Sequence, residues 1–266
     1  MVFIGRVYNL FCQTGMLQLL RQMATNFDNY FKSAFTVDNV IFGFDEGDLK
    51  VLLIKRGEEP HLGEWALPGY FVKTDEDLDS AAQRVLSELT GLNKVYLEQV
   101  HTFGSVNRHA FGRVITISYF SLIKIANYTI QPSSIALQTQ WHTVNDLQLH
   151  AFDHDSILAA CLQRLKWLVK TRPVGFELLP PKFTLTELQH LYEAILRCPL
   201  DKRNFRKKIL SMNLLVDCDE TQEGVAHRPA KLYKFDRKRY NRLVEQGFNF
   251  ELKETPIKKK VQEASL

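Results

Sequence analysis

The sequence predicts an α-β-α domain (α+β class) with a mixed sheet, followed by a small winged helix-turn-helix domain. Three observations predict this. Residues 36–123 hold several β-branched and aromatic runs around one long amphipathic helix pattern, the mark of a sheet covered by helices. The stretch RPVGFELLPP, residues 172–181, breaks the chain twice with Pro and Gly. Charge also changes across that break: residues 1–170 carry 15 Lys+Arg against 17 Asp+Glu, net −2, and residues 171–266 carry 19 against 13, net +6.

Composition sets outer limits. With 266 residues, 45% apolar and 24% charged, the chain can bury a sizeable core and is neither fibrous nor disordered overall. The longest apolar runs, such as Val51-Leu52-Leu53-Ile54, are far too short to span a bilayer, so no membrane partner is expected. The opening MVFIGRVYNLFCQTGMLQLL is interrupted by Arg6 and shows no small-residue cleavage pattern, unlike a signal peptide. Met23 can serve as an alternative start, so residues 1–33 are read as an extension. Cys12, Cys161, Cys198 and Cys218 are scattered without C-x-x-C spacing, which fits reduced cysteines in the cytoplasm.

The elements follow in order. TVDNVIFGFDEGDLKVLLIKR, residues 36–56, reads as a hairpin turning at Asp45-Glu46-Gly47-Asp48. EWALP leads into Gly69, and residues 76–90 carry a helical period. VYLEQVHTF (95–103) and RVITISYFSLI (113–123) are strand candidates, with another near Gln140–Thr143. HDSILAACLQRLKWLVK, residues 154–170, is an amphipathic helix. Beyond the break, Thr184 or Thr186 can cap a helix with Leu188, Leu191, Ile195 and Leu196 on one face, and Asp201 caps a second helix from Lys202 to about Met212. LLVDC (214–218) and AKLYKFD (230–236) form two strands around a polar loop.

The helix pattern carries the chemistry. GYFVKTDEDLDSAAQRVLSELTGL, residues 69–92, resembles the Nudix box, G-x5-E-x7-R-E-U-x-E-E-x-G-U. Glu76, Arg84, Leu86, Glu88 and Gly91-Leu92 match it, with Gly69 one place before the opening glycine. Val85 and Leu89 stand where carboxylates belong. Mg²⁺ wants oxygen ligands, and positions 85 and 89 are one turn apart on one face. With Leu78, Ala81 and Ala82 they make an apolar stripe. Two metal-binding carboxylates are therefore lost, no metal and no cofactor are expected, and no residue is assigned as catalytic. The domain is read instead as a ligand sensor, with Lys55, Arg56, Trp65, Glu88, Glu98 and Arg113 as its binding residues. Arg113 resembles the Arg that starts the long strand in ADP-ribose-handling Nudix proteins.

DKRNFRKKILSM carries recognition. Phe205 and Ile209 are spaced i, i+4 and mark the buried side, with Leu210 and Met212 expected to add to it. Lys202, Arg203, Asn204, Arg206, Lys207 and Lys208 cover the rest. The N-terminal half of the second helix of a helix-turn-helix enters the major groove, where Arg reads guanine and Asn reads adenine. Arg228, Lys231 and Lys234 on the hairpin are expected near backbone phosphates.

Together the halves resemble the Nudix-related transcriptional regulators. VIFGF, GEWALPGYFV, RVLSELTGL, GFELLPPKFTL, LQHLYEAI, DKRNFRKKI and AKLYKF look most like the arabinose-responsive regulators of Bacteroidetes, and other members of the wider family sense ADP-ribose. The resemblance implies a homodimeric repressor on a palindromic double-stranded DNA operator, released by L-arabinose, a related pentose or ADP-ribose. It divides the chain into the extension, a Nudix-like sensing domain at 34–152, a linker helix and hinge at 153–180, the winged helix at 181–245 and a tail at 246–266. Two other readings stay open: an active Nudix pyrophosphohydrolase acting on ADP-ribose-like nucleotides, and an RNA-binding winged helix.

Overall fold

The computed structural model describes residues 33–45, 47–131, 136–224 and 228–252. The extension at 1–32, with Cys12, and the tail from 253 onward lie outside the described residues.

The predicted hairpin forms from β1 (Ala34–Asp45) and β2 (Asp48–Arg56), paired antiparallel. Gly47 takes φ 89° at the turn, a conformation glycine adopts at no steric cost. The EWALPGYF stretch, left unassigned by the sequence, supplies two short strands, β3 (Trp65–Ala66) and β4 (Gly69–Phe71). β5 (Glu98–Phe103) starts three residues later than its pattern, and β6 (Val114–Ile123) and β7 (Ala136–Thr143) follow. They build one mixed seven-stranded sheet: the path β3-β2-β1-β6-β5 has β4 added beside β1 and β7 beside β2, and β1 runs parallel to β6 alone.

Helices cover both faces. α1 (Leu78–Thr90) starts at Asp77, whose side chain accepts from the Ser80 N–H, and ends at Gly91 in the left-handed region, φ 75°. Its apolar stripe packs on Val37, Ile54, Ile117 and Tyr119. Two buried or half-buried hydrogen bonds fix its height on the sheet: Asn39 Nδ2 donates to the Ala82 carbonyl at 3.2 Å, and the Tyr119 hydroxyl donates to Asp79 Oδ1 at 2.7 Å.

α2 (His154–Thr171) packs against the opposite face through Ile157, Cys161 and Leu165, all fully buried, against Val40, Phe42 and Phe120. This corrects the expected linker at 153–180. The apolar face of α2 is the partner of the sheet's second face, so the helix is a layer of the first domain. Only the break after it, Arg172–Leu179, is a connection.

The second unit begins at α3 (Leu185–Leu196), where Thr184 and Glu187 form a reciprocal capping box, followed by α4 (Lys202–Ser211). β8 (Leu215–Thr221) and β9 (Lys231–Phe235) make the wing. α5 (Arg237–Glu245) was not expected. The tail is also corrected at its start: Phe250 and Leu252 are buried, and the Leu252 N–H donates to the Lys170 carbonyl at 2.9 Å. One continuous apolar core runs from β1 through α2 to α3, α4 and Leu252. Among the described residues no helix is long and apolar enough to cross a membrane.

Candidate ligand cleft and nucleic-acid interface

The helix with the Nudix-like pattern has spent its charges internally. The Arg84 guanidinium donates to Glu76 Oε2 at 2.8 Å and Oε1 at 2.5 Å, to Glu88 Oε2 at 2.9 Å and to the Phe71 carbonyl at 2.9 Å. These bonds, helped by the Lys73 N–H, hold the Glu76 carboxyl down at about 2. Val85 and Leu89 are 0% and 2% exposed, packed beside Ile54, Ala66 and Tyr119. Burying each contributes roughly 1.5–3 kcal/mol. Val85 and Leu89 offer no oxygen to a divalent cation, and the Glu76 and Glu88 carboxylates are both tied to Arg84. Among the described residues no group of three His, Cys, Asp or Glu side chains is placed to hold a metal.

A cleft of about 120 Å³ opens between β1, β4, the 58–60 loop and the start of α2, and none of its lining residues comes from α1. Its lining mixes aromatic rings with charges of both signs, Arg56 and Arg108 against Asp38, Glu58 and Glu59. Phe152 stacks on His109 at 5.0 Å with planes 10° apart, and the Arg56 guanidinium lies 5.0 Å from the Phe152 ring centre. Arg56 is itself anchored through Nε to the Pro60 carbonyl at 2.8 Å. Phe152 takes φ 51°, uncommon for an aromatic residue and held here by its neighbours. Arg108 grips Asp153 with two bonds of 2.9 and 2.5 Å, which fixes the residue between Phe152 and His154.

The floor is a buried polar group. Asp38 Oδ2 accepts from the Thr116 hydroxyl at 2.5 Å, and Asp38 Oδ1 lies 3.5 Å from His154 Nε2. His154 Nδ1 accepts the Leu67 N–H at 3.0 Å, so the proton of the neutral ring sits on Nε2, facing Asp38. Burial pushes the His154 pKa down, against the pull of Asp38. Gly69 belongs to this floor by necessity: a Cβ there would lie 1.9 Å from Asp38 Oδ1. Such a cleft can stack a flat ring and meet an anion with Arg56.

Of the six ligand-binding residues expected from sequence, only Arg56 lines this cleft. Lys55 sits opposite Trp65 in the β2–β3 register, and Trp65 packs edge-on against His142 at 4.4 Å. Glu88 is taken by Arg84, Glu98 is ion-paired to Arg164 on α2 at 2.5 Å, and Arg113 donates to the Gly104 carbonyl at 2.5 Å. The residues that do converge, Asp38, Gly69, His109, Phe152 and His154, come from segments far apart in sequence. The only local signal was a His and two Arg in the Gly-flanked loop GSVNRHAFGR.

In the second unit, Asp201 caps α4 by accepting the Asn204 N–H at 2.8 Å. Phe205 and Ile209 are buried, and Lys202, Arg203, Asn204, Lys207 and Lys208 are exposed. Two details differ from expectation. Arg206 is half-buried and donates to the Thr186 hydroxyl at 2.9 Å, tying α4 to the start of α3. Leu210 is 45% exposed, whereas Met212 does join the core. The i, i+4 spacing of Phe205 and Ile209 turns Leu210 outward. On the wing, Lys234 and Arg228 are exposed, and Lys231 pairs with Asp217 at 2.8 Å. α5 adds cations the sequence reading passed over: Arg237 pairs with Glu177 in the connection, and Arg239 donates to Asn213 Oδ1 at 3.0 Å. Its signals were Asp236 as cap and Gly247 as stop.

Comparison with known proteins agrees with this division. Residues 33–161 match the NUDIX domain family, and residues 175–235 match the NrtR DNA-binding winged helix domain. The chain is 37% identical over 226 residues to the ADPR responsive transcriptional repressor NtrR of Acinetobacter baylyi, covering 84% of this chain and 87% of that one. It is 33% identical over 129 residues to an ADP-ribose pyrophosphatase of Methanocaldococcus jannaschii, covering 48% of this chain and 73% of the enzyme. The structure of Shewanella oneidensis NrtR complexed with a 27mer DNA superposes with a TM-score of 0.62 at 31% identity, covering 82% of this chain and 99% of that one. None of these three names a pentose, so the expected likeness to arabinose-responsive regulators finds no support among them. A Nudix domain joined to an NrtR-type winged helix, shared along most of the length of a repressor, means that this chain belongs to the NrtR family of transcriptional regulators.

Proposed function

We propose that this chain is a DNA-binding transcriptional repressor whose Nudix domain binds ADP-ribose without hydrolysing it, and whose hold on DNA responds to that ligand. One observation carries the reading. The cleft sets aromatic rings beside Arg56, while α1 buries Val85 and Leu89 as apolar core where a metal-binding face would need oxygen. Binding is retained where the Lewis acid that would polarise a pyrophosphate has no seat. The ADP-ribose-responsive relative supports the choice of ligand. So does the chemistry of the cleft: a ring stack and Arg56 suit a nucleotide better than a neutral sugar, which reverses the order suggested by the sequence resemblance. Isothermal titration with ADP-ribose and with L-arabinose tests it. Saturable binding of ADP-ribose alone is expected, and binding of the pentose alone would overturn it. The hydrolase reading is favoured by the pyrophosphatase relative, and release of AMP and ribose 5-phosphate above a blank would revive it.

The DNA-contacting set is Lys202, Arg203, Asn204, Lys207 and Lys208 on α4, with Arg228 and Lys234 on the wing. Arg206 is better read as a strut, because its guanidinium is half-buried and donates to Thr186. One α4 offers few base contacts, each good bidentate pair giving about 1–3 kcal/mol of discrimination. A homodimer on a palindrome roughly doubles that. A repressor works where its operator is, which favours the cytoplasm. A gel shift of duplex DNA against RNA distinguishes this reading from RNA binding.

A further inference from the structure

A second and larger cleft, about 610 Å³, lies at the junction of the two units. The end of β6 forms its floor, the Arg172–Leu178 connection one wall, and β9 with α5 the other. Its volume is in the range of small-molecule sites, which also favour domain junctions. Its charges are unbalanced. Glu98 and Glu177 face it, but each is already held by an arginine, Arg164 and Arg237 respectively. Lys94, Lys124 and Arg172 face it too, and among the described residues none of the three pairs with a carboxylate. Lys124 reaches only the Leu179 carbonyl, at 3.5 Å. Like charges gathered in a concave recess raise the local potential and draw anions. The opposite wall is aromatic: Phe235 stacks on Phe176 at 4.5 Å with planes 19° apart, and Tyr240 lies 6.0 Å from Phe235.

We propose that this junction cleft is a second ligand site, for an anion of mononucleotide size. Its phosphate would meet Lys124 and Arg172, with Lys94 at the rim, and its ring would lie against Tyr128, Phe235 and Tyr240. This binding is separate from the ADP-ribose cleft and does not depend on that assignment. Because both units build the walls, an occupant prefers one arrangement of them and biases DNA binding accordingly; this consequence alone rests on the regulator reading.

The test is a fluorescence titration of the full chain with N-methylanthraniloyl-AMP. The parent and Arg56→Ala, which disables the first cleft, should bind the probe with similar affinity. Lys124→Ala with Arg172→Ala should weaken binding by about tenfold or more, since two charge-assisted contacts are lost. Lys124→Arg with Arg172→Lys keeps both charges and should recover most of the affinity, which separates lost charge from lost folding. Four results overturn the proposal: no saturable binding by the parent, loss of binding in Arg56→Ala at an unchanged melting temperature, unchanged affinity in the alanine pair, or a charge-conserving pair as weak as the alanine pair.

Discussion

Replacing Gly69 with Ala should destabilise the chain mainly through Asp38. The new Cβ would stand 1.9 Å from Asp38 Oδ1, 2.9 Å from its Cγ and 3.0 Å from the Val37 carbonyl. Ordinary contact begins at 3.4 Å, so the carboxylate must move by about 1 Å or more. Asp38 is 5% exposed and bonded at 2.5 Å to Thr116. Its displacement strands the His154 N–H and the carboxylate itself, while the Thr116 hydroxyl keeps only the Thr36 carbonyl at 3.2 Å. Leaving buried polar groups unsatisfied costs about 1–3 kcal/mol. At about 2–4 °C per kcal/mol for a chain of this size, the melting temperature should fall by roughly 2–12 °C. The assay is a thermal melt by circular dichroism, run as a double-mutant cycle with Asp38→Ala. In the Asp38→Ala background only the Val37 carbonyl still crowds the methyl, so Gly69→Ala should then cost clearly less than in the parent. Equal losses in both backgrounds, or no loss in either, would refute the reasoning.

Acid should destabilise the chain through its histidines: burial lowers the pKa of His154, His142 and His109 from an ordinary 6.5. The unfolded chain takes up protons near pH 6.5 that the folded chain refuses, so this stability is complete above that pH and is lost as pH falls below it. His154→Asn should flatten the fall in melting temperature between pH 7 and 5, and an unchanged profile would remove His154 from the account. Leu89→Glu should place a carboxylate in the apolar cluster at a cost of several kcal/mol and confer no release of AMP with Mg²⁺; a variant stabilised by Mg²⁺ would mean that the metal face still exists. On DNA, Arg203→Ala should weaken specific binding strongly if it reads a base. Lys208→Ala should weaken all duplexes alike and reduce the salt slope by about one unit. Fluorescence anisotropy at several salt concentrations checks both, and parental affinity in both variants would reduce α4 to a solvated basic face.

The fold was largely legible in the sequence, because its signals are local. The Asp45–Asp48 turn, the Asp201 cap, the Thr184 or Thr186 cap and the stripe from Leu78 to Leu89 each depend on residues within a few positions, and the structure adds the Asp77 cap and the Glu187 half of the capping box. The role of α2 was not legible. An amphipathic face states that it is buried, not against what, and only the sheet's second face answers that. The burial of Phe250 and Leu252 escaped for the same reason. The cleft was harder still. Arg56 was anticipated, together with Lys55, as part of the binding set, but Asp38, Gly69, His109 and His154 come together only in the folded chain, through the β1–β4 register and the docking of α2 among other contacts. Arg113 was chosen for its likeness to a family arginine and Glu88 stood in the Nudix-like pattern, and neither signal, nor the sequence around Glu98, revealed that the Gly104 carbonyl, Arg84 and Arg164 already hold them.

The most direct test of a sensor that does not cleave its ligand follows DNA binding and ligand fate in one sample. A labelled duplex selected in vitro by the chain is held in complex, ADP-ribose and Mg²⁺ are added, and anisotropy is recorded for hours while the nucleotide is recovered by chromatography. The account predicts a change in anisotropy that persists, with all of the ADP-ribose intact. A change that decays as AMP and ribose 5-phosphate accumulate would contradict it, and so would an anisotropy that never responds to ADP-ribose.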